Sequence, residues 1–220
     1  MLRPIVPLVL ALAVTASTDS ATGGWAVVTV EALPDYAVAG KPLDITYSVR
    51  QHGQTLRTGL GGWVAASSGQ SQVSAAPADH LDGRYSAQLT LPKAGEWTIT
   101  ISNAFGEVKL YPISAIADGG SSPARLPQLT PAQRGQRLFV AKGCFSCHVH
   151  GAVEGSGRIA VGPDLTPRRY QADYLAKFLA DPSIARTSGQ RWPMPNLGLK
   201  PAEITSLVAF INSDRIVSAR

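Results

Sequence analysis

The sequence predicts two domains, an all-β sandwich followed by a small all-α domain. Three observations predict this. Apolar residues alternate with period two from Trp25 to about Ile116. From Leu129 onward the spacing becomes helical. Between the two lies Asp118-Gly119-Gly120-Ser121-Ser122-Pro123-Ala124, a linker by composition. The 220 residues are enough for two small domains. The expected division is a leader at 1–16, a β-domain at 25–117, a linker at 118–126 and a helical domain at 127–217.

The chain opens like an export signal. Arg3 supplies the positive charge, Ile5 to Val14 the apolar run, and Val14-Thr15-Ala16 the small residues for cleavage after Ala16. The run is short for a membrane span, which needs about 20 residues. An uncleaved anchor is the competing reading. No cysteine lies near the cleavage site, which speaks against a lipoprotein.

Seven strands are expected in the β-domain. They are Trp25 to Val30, Leu43 to Val49, Gly62 to Ala66, Gln72 to Ala75, Tyr85 to Leu91, Glu96 to Ser102 and Glu107 to Ile113. Short strands at regular spacing make a sandwich. Val27 or Val28, Ile45, Tyr47, Val49, Leu89, Leu91, Trp97, Ile99 and Ile101 are its expected core. His52 and His80 are too few to hold a metal and are expected as solvated loop residues. Asp35, Asp79 and Asp82 are expected as solvated or turn residues.

The linker should leave the two domains some mutual freedom. Thr130, Pro131 and Gln133 then form a capping-box start for a helix running to about Lys142, with Gly143 ending it. Gly135 permits close helix contact, and Leu138 and Phe139 face inward. A second helix is expected from Tyr170 to Ala180, with Tyr174, Leu175, Phe178 and Leu179 on its inner face, stopped by Asp181-Pro182. Lys200-Pro201-Ala202-Glu203 opens a third. Its Ile204, Leu207, Val208 and Ile211 make a stripe at helical spacing, with Phe210 beside it.

Chemistry is concentrated in Cys144-Phe145-Ser146-Cys147-His148. Two cysteines two residues apart, followed at once by histidine, form the attachment signature of a c-type haem. Each thiol adds across one porphyrin vinyl group, and the histidine offers an imidazole nitrogen to the iron. A thioredoxin-like redox pair does not need His148. A structural zinc site needs four ligands, and the chain has no third cysteine. A sixth iron ligand is sought in methionine sulfur. Of the two methionines, Met1 opens the chain, and Met194 lies in Trp192-Pro193-Met194-Pro195. The flanking prolines keep that stretch out of a helix and make it stiff.

Gly135, Phe139, Gly143-Cys144 to His148, Gly162-Pro163-Asp164-Leu165, Met194-Pro195-Asn196-Leu197 and the Phe210 helix together resemble the class I, single-haem cytochromes c. The resemblance covers about residues 127–217. It implies an all-α cytochrome c fold, one covalent haem c, His148 and Met194 as axial ligands, and electron transfer rather than catalysis. It also implies that the Pro163 carbonyl accepts the second ring N–H of His148, and that haem is attached outside the cytoplasm. Phe139, Leu165, Trp192 and Leu199 are candidates to line a dry pocket. Trp192 has a second candidate role, donating its indole N–H to a propionate, and Arg186 or Arg191 is assigned to pair with one. His150, two residues past His148, is expected as a solvated loop residue.

Asp82-Gly83-Arg84-Tyr85 and Lys93-Ala94-Gly95-Glu96-Trp97, with the Trp25 strand and Ala39-Gly40-Lys41-Pro42, resemble the YtkA-like group of immunoglobulin-like domains over about residues 25–112. That resemblance implies an immunoglobulin-like sandwich, and accompaniment of respiratory or metal-handling proteins.

Charge divides the chain. Residues 125–220 carry 13 Lys+Arg and 6 Asp+Glu, against 6 and 8 in residues 21–123. A basic haem domain suits redox partner proteins with an acidic docking surface. No basic run with interleaved aromatics points to nucleic acid, and no small-molecule substrate is expected. The expected function is electron transfer in an exported, periplasmic or extracytoplasmic chain. Two other readings compete. In one, the β-domain docks the cytochrome on a membrane oxidase or dehydrogenase complex. In the other, an open iron acts as a peroxidase or gas-binding centre.

Overall fold

The computed structural model describes residues 23–119, 128–166, 168–189 and 191–213. The expected leader at 1–16 lies outside the described residues, as does the expected linker beyond Gly119.

The first half is all strand. In chain order the strands are β1 (Ala26–Val30), β2 (Tyr36–Val38), β3 (Pro42–Gln51), β4 (Thr55–Leu56), β5 (Trp63–Ser68), β6 (Ser71–Ala75), β7 (Ala78–Asp79), β8 (Arg84–Thr90), β9 (Gly95–Asn103), β10 (Gly106–Lys109) and β11 (Ile113–Ile116). One sheet has the order β1-β3-β8-β7, with β4 on β3. The other has the order β2-β11-β9-β5-β6, with β10 on β9. Pairings are antiparallel except β2 with β11, which are parallel. Along β9, Trp97, Ile99 and Ile101 point inward and are fully buried while the residues between them are not, as period-two geometry requires. The Trp97 indole N–H donates to the Lys93 carbonyl at 3.0 Å, so the ring is buried without an orphaned donor.

The seven expected strands are all present, and the structure adds to them. Three short strands, β2, β4 and β7, lack an apolar run long enough to read. The last expected strand divides in two. Lys109 pairs with Thr100 and Ile113 with Trp97, so four steps on one strand oppose three on the other. Pro112, which has no N–H to give a ladder, sits in that bulge.

The helical half comprises α1 (Pro131–Ala141), α2 (Cys144–Cys147), α3 (Ala172–Ala180) and α4 (Pro201–Ile211), with a 3-10 turn at Pro182–Ala185. The capping box forms in full. Thr130 Oγ1 accepts from the Gln133 N–H at 3.2 Å, and Gln133 Oε1 accepts from the Thr130 N–H at 2.9 Å. Gly143, at φ +78°, turns the chain out of α1. Helices α1 and α4 cross in backbone contact. A Cβ on Gly135 would collide with the Ser206 carbonyl, and Phe139 meets Phe210 edge-on at 5.5 Å.

Helix α3 starts two residues later than expected. Tyr170 lies outside it and is tied to the end of α4, its N–H donating to Asn212 Oδ1 at 2.9 Å and its carbonyl accepting from Asn212 Nδ2 at 3.0 Å. Tyr174 is 51% exposed and stacks on Phe178, and both line the cavity described below together with Leu175 and Leu179.

The two halves are not free of each other. Thr29 Oγ1 donates to the Lys142 carbonyl, Lys142 Nζ donates to the Glu31 carbonyl at 2.8 Å, and Arg134 forms a two-point ion pair with Asp35. Gly143 is packed on Val27 and Val28, where any side chain would clash. Tyr111 donates to the Ala152 carbonyl. One contiguous apolar core runs through both halves. The expectation of mutual freedom fails because β1 and the end of α1 bury surface against each other. Asp35, expected as a solvated or turn residue, is exposed and also pairs with Arg134 across the contact between the halves.

Candidate functional site

The end of α1 delivers the motif. Gly143 breaks the helix, and α2 follows as a single turn carrying Cys144 and Cys147 at its two ends. Residues three apart lie on one helical face, so both side chains serve the same space. Neither is in a disulfide. Burial pushes the Cys144 thiol up to about 12 and the Cys147 thiol up to about 11. A redox-active pair needs a lowered thiol pKa. These thiols are held neutral, which opposes the thioredoxin-like reading.

His148 leaves the helix in extended conformation, and its Nδ1 lies 3.0 Å from the Pro163 carbonyl oxygen. A carbonyl only accepts, so Nδ1 carries the proton and Nε2 keeps its lone pair. Burial lowers the pKa of this imidazole, and the hydrogen bond to Pro163 partly offsets that. The ring is therefore held neutral with its tautomer set, and Nε2 is free to donate to a metal. Gly162 lies directly against it, and a Cβ there would strike the imidazole.

These residues line one cavity of about 310 Å³. Cys144, Cys147, His148, Gly162 and Pro163 form one part of its wall, and Trp192, Pro193, Met194 and Pro195 another. Phe139, Leu165, Leu175 and Leu179 supply an apolar lining. Arg186 also reaches the cavity, whereas Arg191 sits with its guanidinium 5.0 Å over the Trp192 ring. Leu197 lines the cavity and Leu199 does not, because Leu199 packs against the core instead.

The donor set fits a covalently held haem. There are two neutral thiols on one helical turn, an imidazole with its lone pair free, a thioether, and apolar walls. Among the described residues no group of three or more His, Cys, Asp or Glu side chains is arranged to hold a metal ion.

Residues 132–214 match the cytochrome c family model. The C-terminal half is therefore a helical cytochrome c domain, and such a domain supports haem-based electron transfer with haem c bound covalently. No curated protein matches the chain. Among solved structures, a glycoside hydrolase from Bacteroides vulgatus is 13% identical, over 39% of this chain and 17% of that one, with a TM-score of 0.33. Domains 1–6 of the surface layer protein SbsC are 19% identical over 43% of this chain and 13% of that one, with a TM-score of 0.32. A superoxide reductase (neelaredoxin) from Ignicoccus hospitalis is 17% identical over 42% of this chain and 80% of that one, with a TM-score of 0.27. At such scores these likenesses carry no argument.

The cytochrome c domain does not line its cavity alone. Trp25, Val27, His52, Gly53 and Gln54 of the β-domain contribute as well. Sequence reading missed them because no local pattern links residue 54 to residue 193. His52, expected as solvated, is half-buried between Trp25 and Trp192. His150 is also corrected. It is buried and stacked on Phe210 with ring centroids 4.3 Å apart, and burial lowers its pKa. Its Nδ1 accepts from the Ala152 N–H, so it serves the core between α1 and α4.

Proposed function

We propose that this protein is an exported single-haem electron carrier, with Cys144 and Cys147 as the thioether attachments and His148 and Met194 as the axial ligands of a class I site. The observation that carries the reading is that one apolar cavity is lined by all four side chains. When bound, the haem supplies a one-electron ferric–ferrous couple. The chain's own residues do the rest. The Pro163 carbonyl orients His148 and raises its basicity. The prolines on either side of Met194 hold the thioether on a stiff segment. Phe139 and Leu165 keep water from the cavity. If His148 and Met194 both hold the iron, no position would be left for a substrate and no proton would need to move. Trp192 and Arg186, which line the cavity, and Arg191, whose guanidinium lies over the Trp192 ring, are the side chains this reading assigns to the propionates.

Export is supported by Arg3 and the apolar run that follows. The basic balance of residues 125–220 favours redox partner proteins with an acidic surface. The two-sheet sandwich supports a YtkA-like, immunoglobulin-type module as the N-terminal half.

The test is the absorption spectrum of the purified protein, oxidised and reduced, with and without carbon monoxide. Wild type should show the far-red sulfur-to-iron band and no prompt carbon monoxide response. Met194→Ala should lose the band and bind carbon monoxide rapidly. A wild-type spectrum unchanged by that substitution would sink the ligand assignment and favour an open, catalytic iron.

A further inference from the structure

We propose that the haem site is completed by the β-domain, whose β3–β4 turn, with Trp25, is a clamp that positions the Met194 loop. The inference rests on the reading of Met194 as an iron ligand. It begins with the way the loop is fastened. Residues 191–200 form no helix or strand, and Pro193 and Pro195 have no N–H to offer. Among the described residues, 191–195 make one hydrogen bond. It comes from the other domain, from Gln54 Nε2 to the Pro193 carbonyl at 2.5 Å. That carbonyl immediately precedes Met194.

Ring packing acts on the same point. Trp192 is held edge-on by Trp25 at 5.8 Å and tilted against His52 at 5.1 Å. Trp25 and His52 meet each other at 5.6 Å, and the His52 N–H donates to the Trp25 carbonyl at 2.9 Å. The turn that presents His52 has an uncommon backbone. His52 and Gly53 both have positive φ, +52° and +70°. Such a pair makes the tight turn whose twist suits a hairpin. A non-glycine residue there carries a conformational cost and persists only when its surroundings hold it. Gly24 leaves room for the His52 ring, which a Cβ at that position would strike.

General docking of the two halves does not explain these contacts. Docking is already provided by Thr29, Glu31 and Asp35 against Lys142 and Arg134. The turn reaches instead for the two residues before Met194. Gln54, Trp25 and His52 are positioning residues, acting on the iron site through the loop.

The experiment uses the full-length, haem-loaded protein with Gln54→Glu, Trp25→Ala and Trp25→Phe. Glutamate keeps the size of Gln54 but offers no donor to the carbonyl. Two quantities are read. One is the rate of tryptic cleavage after Arg191, which reports loop release whatever ligates the iron. The other is the affinity of added imidazole for the ferric protein, which reports how firmly Met194 is held. Gln54→Glu and Trp25→Ala should each raise both by about tenfold. Trp25→Phe, which keeps a ring, should stay near wild type. Lys41→Ala, at an exposed ion pair remote from the turn, should change neither.

Unchanged cleavage and unchanged imidazole affinity in Gln54→Glu and Trp25→Ala would overturn the clamp. Gln54 is exposed, so its variant should fold even if Trp25→Ala does not. Failure of the ligand reading shows separately, as a wild-type spectrum without the sulfur band. The cleavage rates then decide the clamp by themselves.

Discussion

Tyr47 and Tyr85 stack at 5.3 Å in the β-domain core, and both are almost wholly buried. Their hydroxyls are treated differently. Tyr85 donates to the Arg57 carbonyl at 2.9 Å and accepts from the Leu60 N–H. The Tyr47 hydroxyl has no partner among the described residues. Burial, with Tyr85 and Asp79 nearby, pushes the Tyr47 phenol up to about 12, so it stays protonated. An unpaired buried hydroxyl costs free energy, and a paired one returns about 1 kcal/mol. Tyr47→Phe should therefore leave the urea midpoint unchanged or raise it. Tyr85→Phe should lower stability by about 1 kcal/mol. Equal losses in both would show that Tyr47 has a partner after all. At the same scale, the capping box at Thr130 and Gln133 was legible because its chemistry is local. The burial of His150 was not, because nothing within a few residues of it forecasts Phe210 as its neighbour.

At the scale of elements, the end of α1 has several tasks. It stops at Gly143, presents α2, and carries Lys142, a lysine only 2% exposed. Lysine is almost never this buried without a partner. Here Nζ lies 2.8 Å from Glu203 Oε1 on α4 and 2.8 Å from the Glu31 carbonyl beyond β1. Glu203 Oε2 also accepts from the Lys200 N–H, closing the start of α4. One cation thus ties together α1, α4 and the β-domain. Removing one member of a buried pair strands the other. Lys142→Ala and Glu203→Ala should each cost about 3–5 kcal/mol. The double variant should cost less than their sum by about 1–3 kcal/mol. Simple additivity in a double-mutant unfolding cycle would deny the coupling. This network was invisible in the sequence, where Lys142 reads as the ordinary polar end of a helix.

At the scale of the whole molecule, docking of the halves has an electrostatic and pH-sensitive part. The Arg134 guanidinium beside Asp35 holds that carboxyl below its usual value, against the raising effect of burial. A depressed carboxyl contributes stability above its unfolded pKa of about 3.9 and loses it as pH falls through the lower folded value. Both side chains remain partly exposed, so the pair is worth less than about 1 kcal/mol. Asp35→Asn should lower the thermal midpoint slightly at neutral pH. The gap from wild type should close as acid titrates Asp35. A gap that widens in acid would assign the wrong sign to this pair. Among the described residues no helix is long and apolar enough to cross a membrane.

The sequence by itself determined the two-part architecture, the strand alternation and the helix start at Thr130, and it singled out the four side chains that line the candidate cavity. Those are properties of spacing and neighbouring chemistry. Cys144, Cys147 and His148 are adjacent, and Met194 could be found because the chain has only one other methionine. Tertiary structure decided what lies opposite what. Gln54 and Pro193 are 139 residues apart, and Thr29 and Lys142 are 113 apart. No periodic pattern carries information over such distances, because each residue's local pattern is already satisfied within its own element. Only packing β1 against the end of α1 brings the β3–β4 turn to the Met194 loop, and turns a one-domain cavity into one walled by both halves.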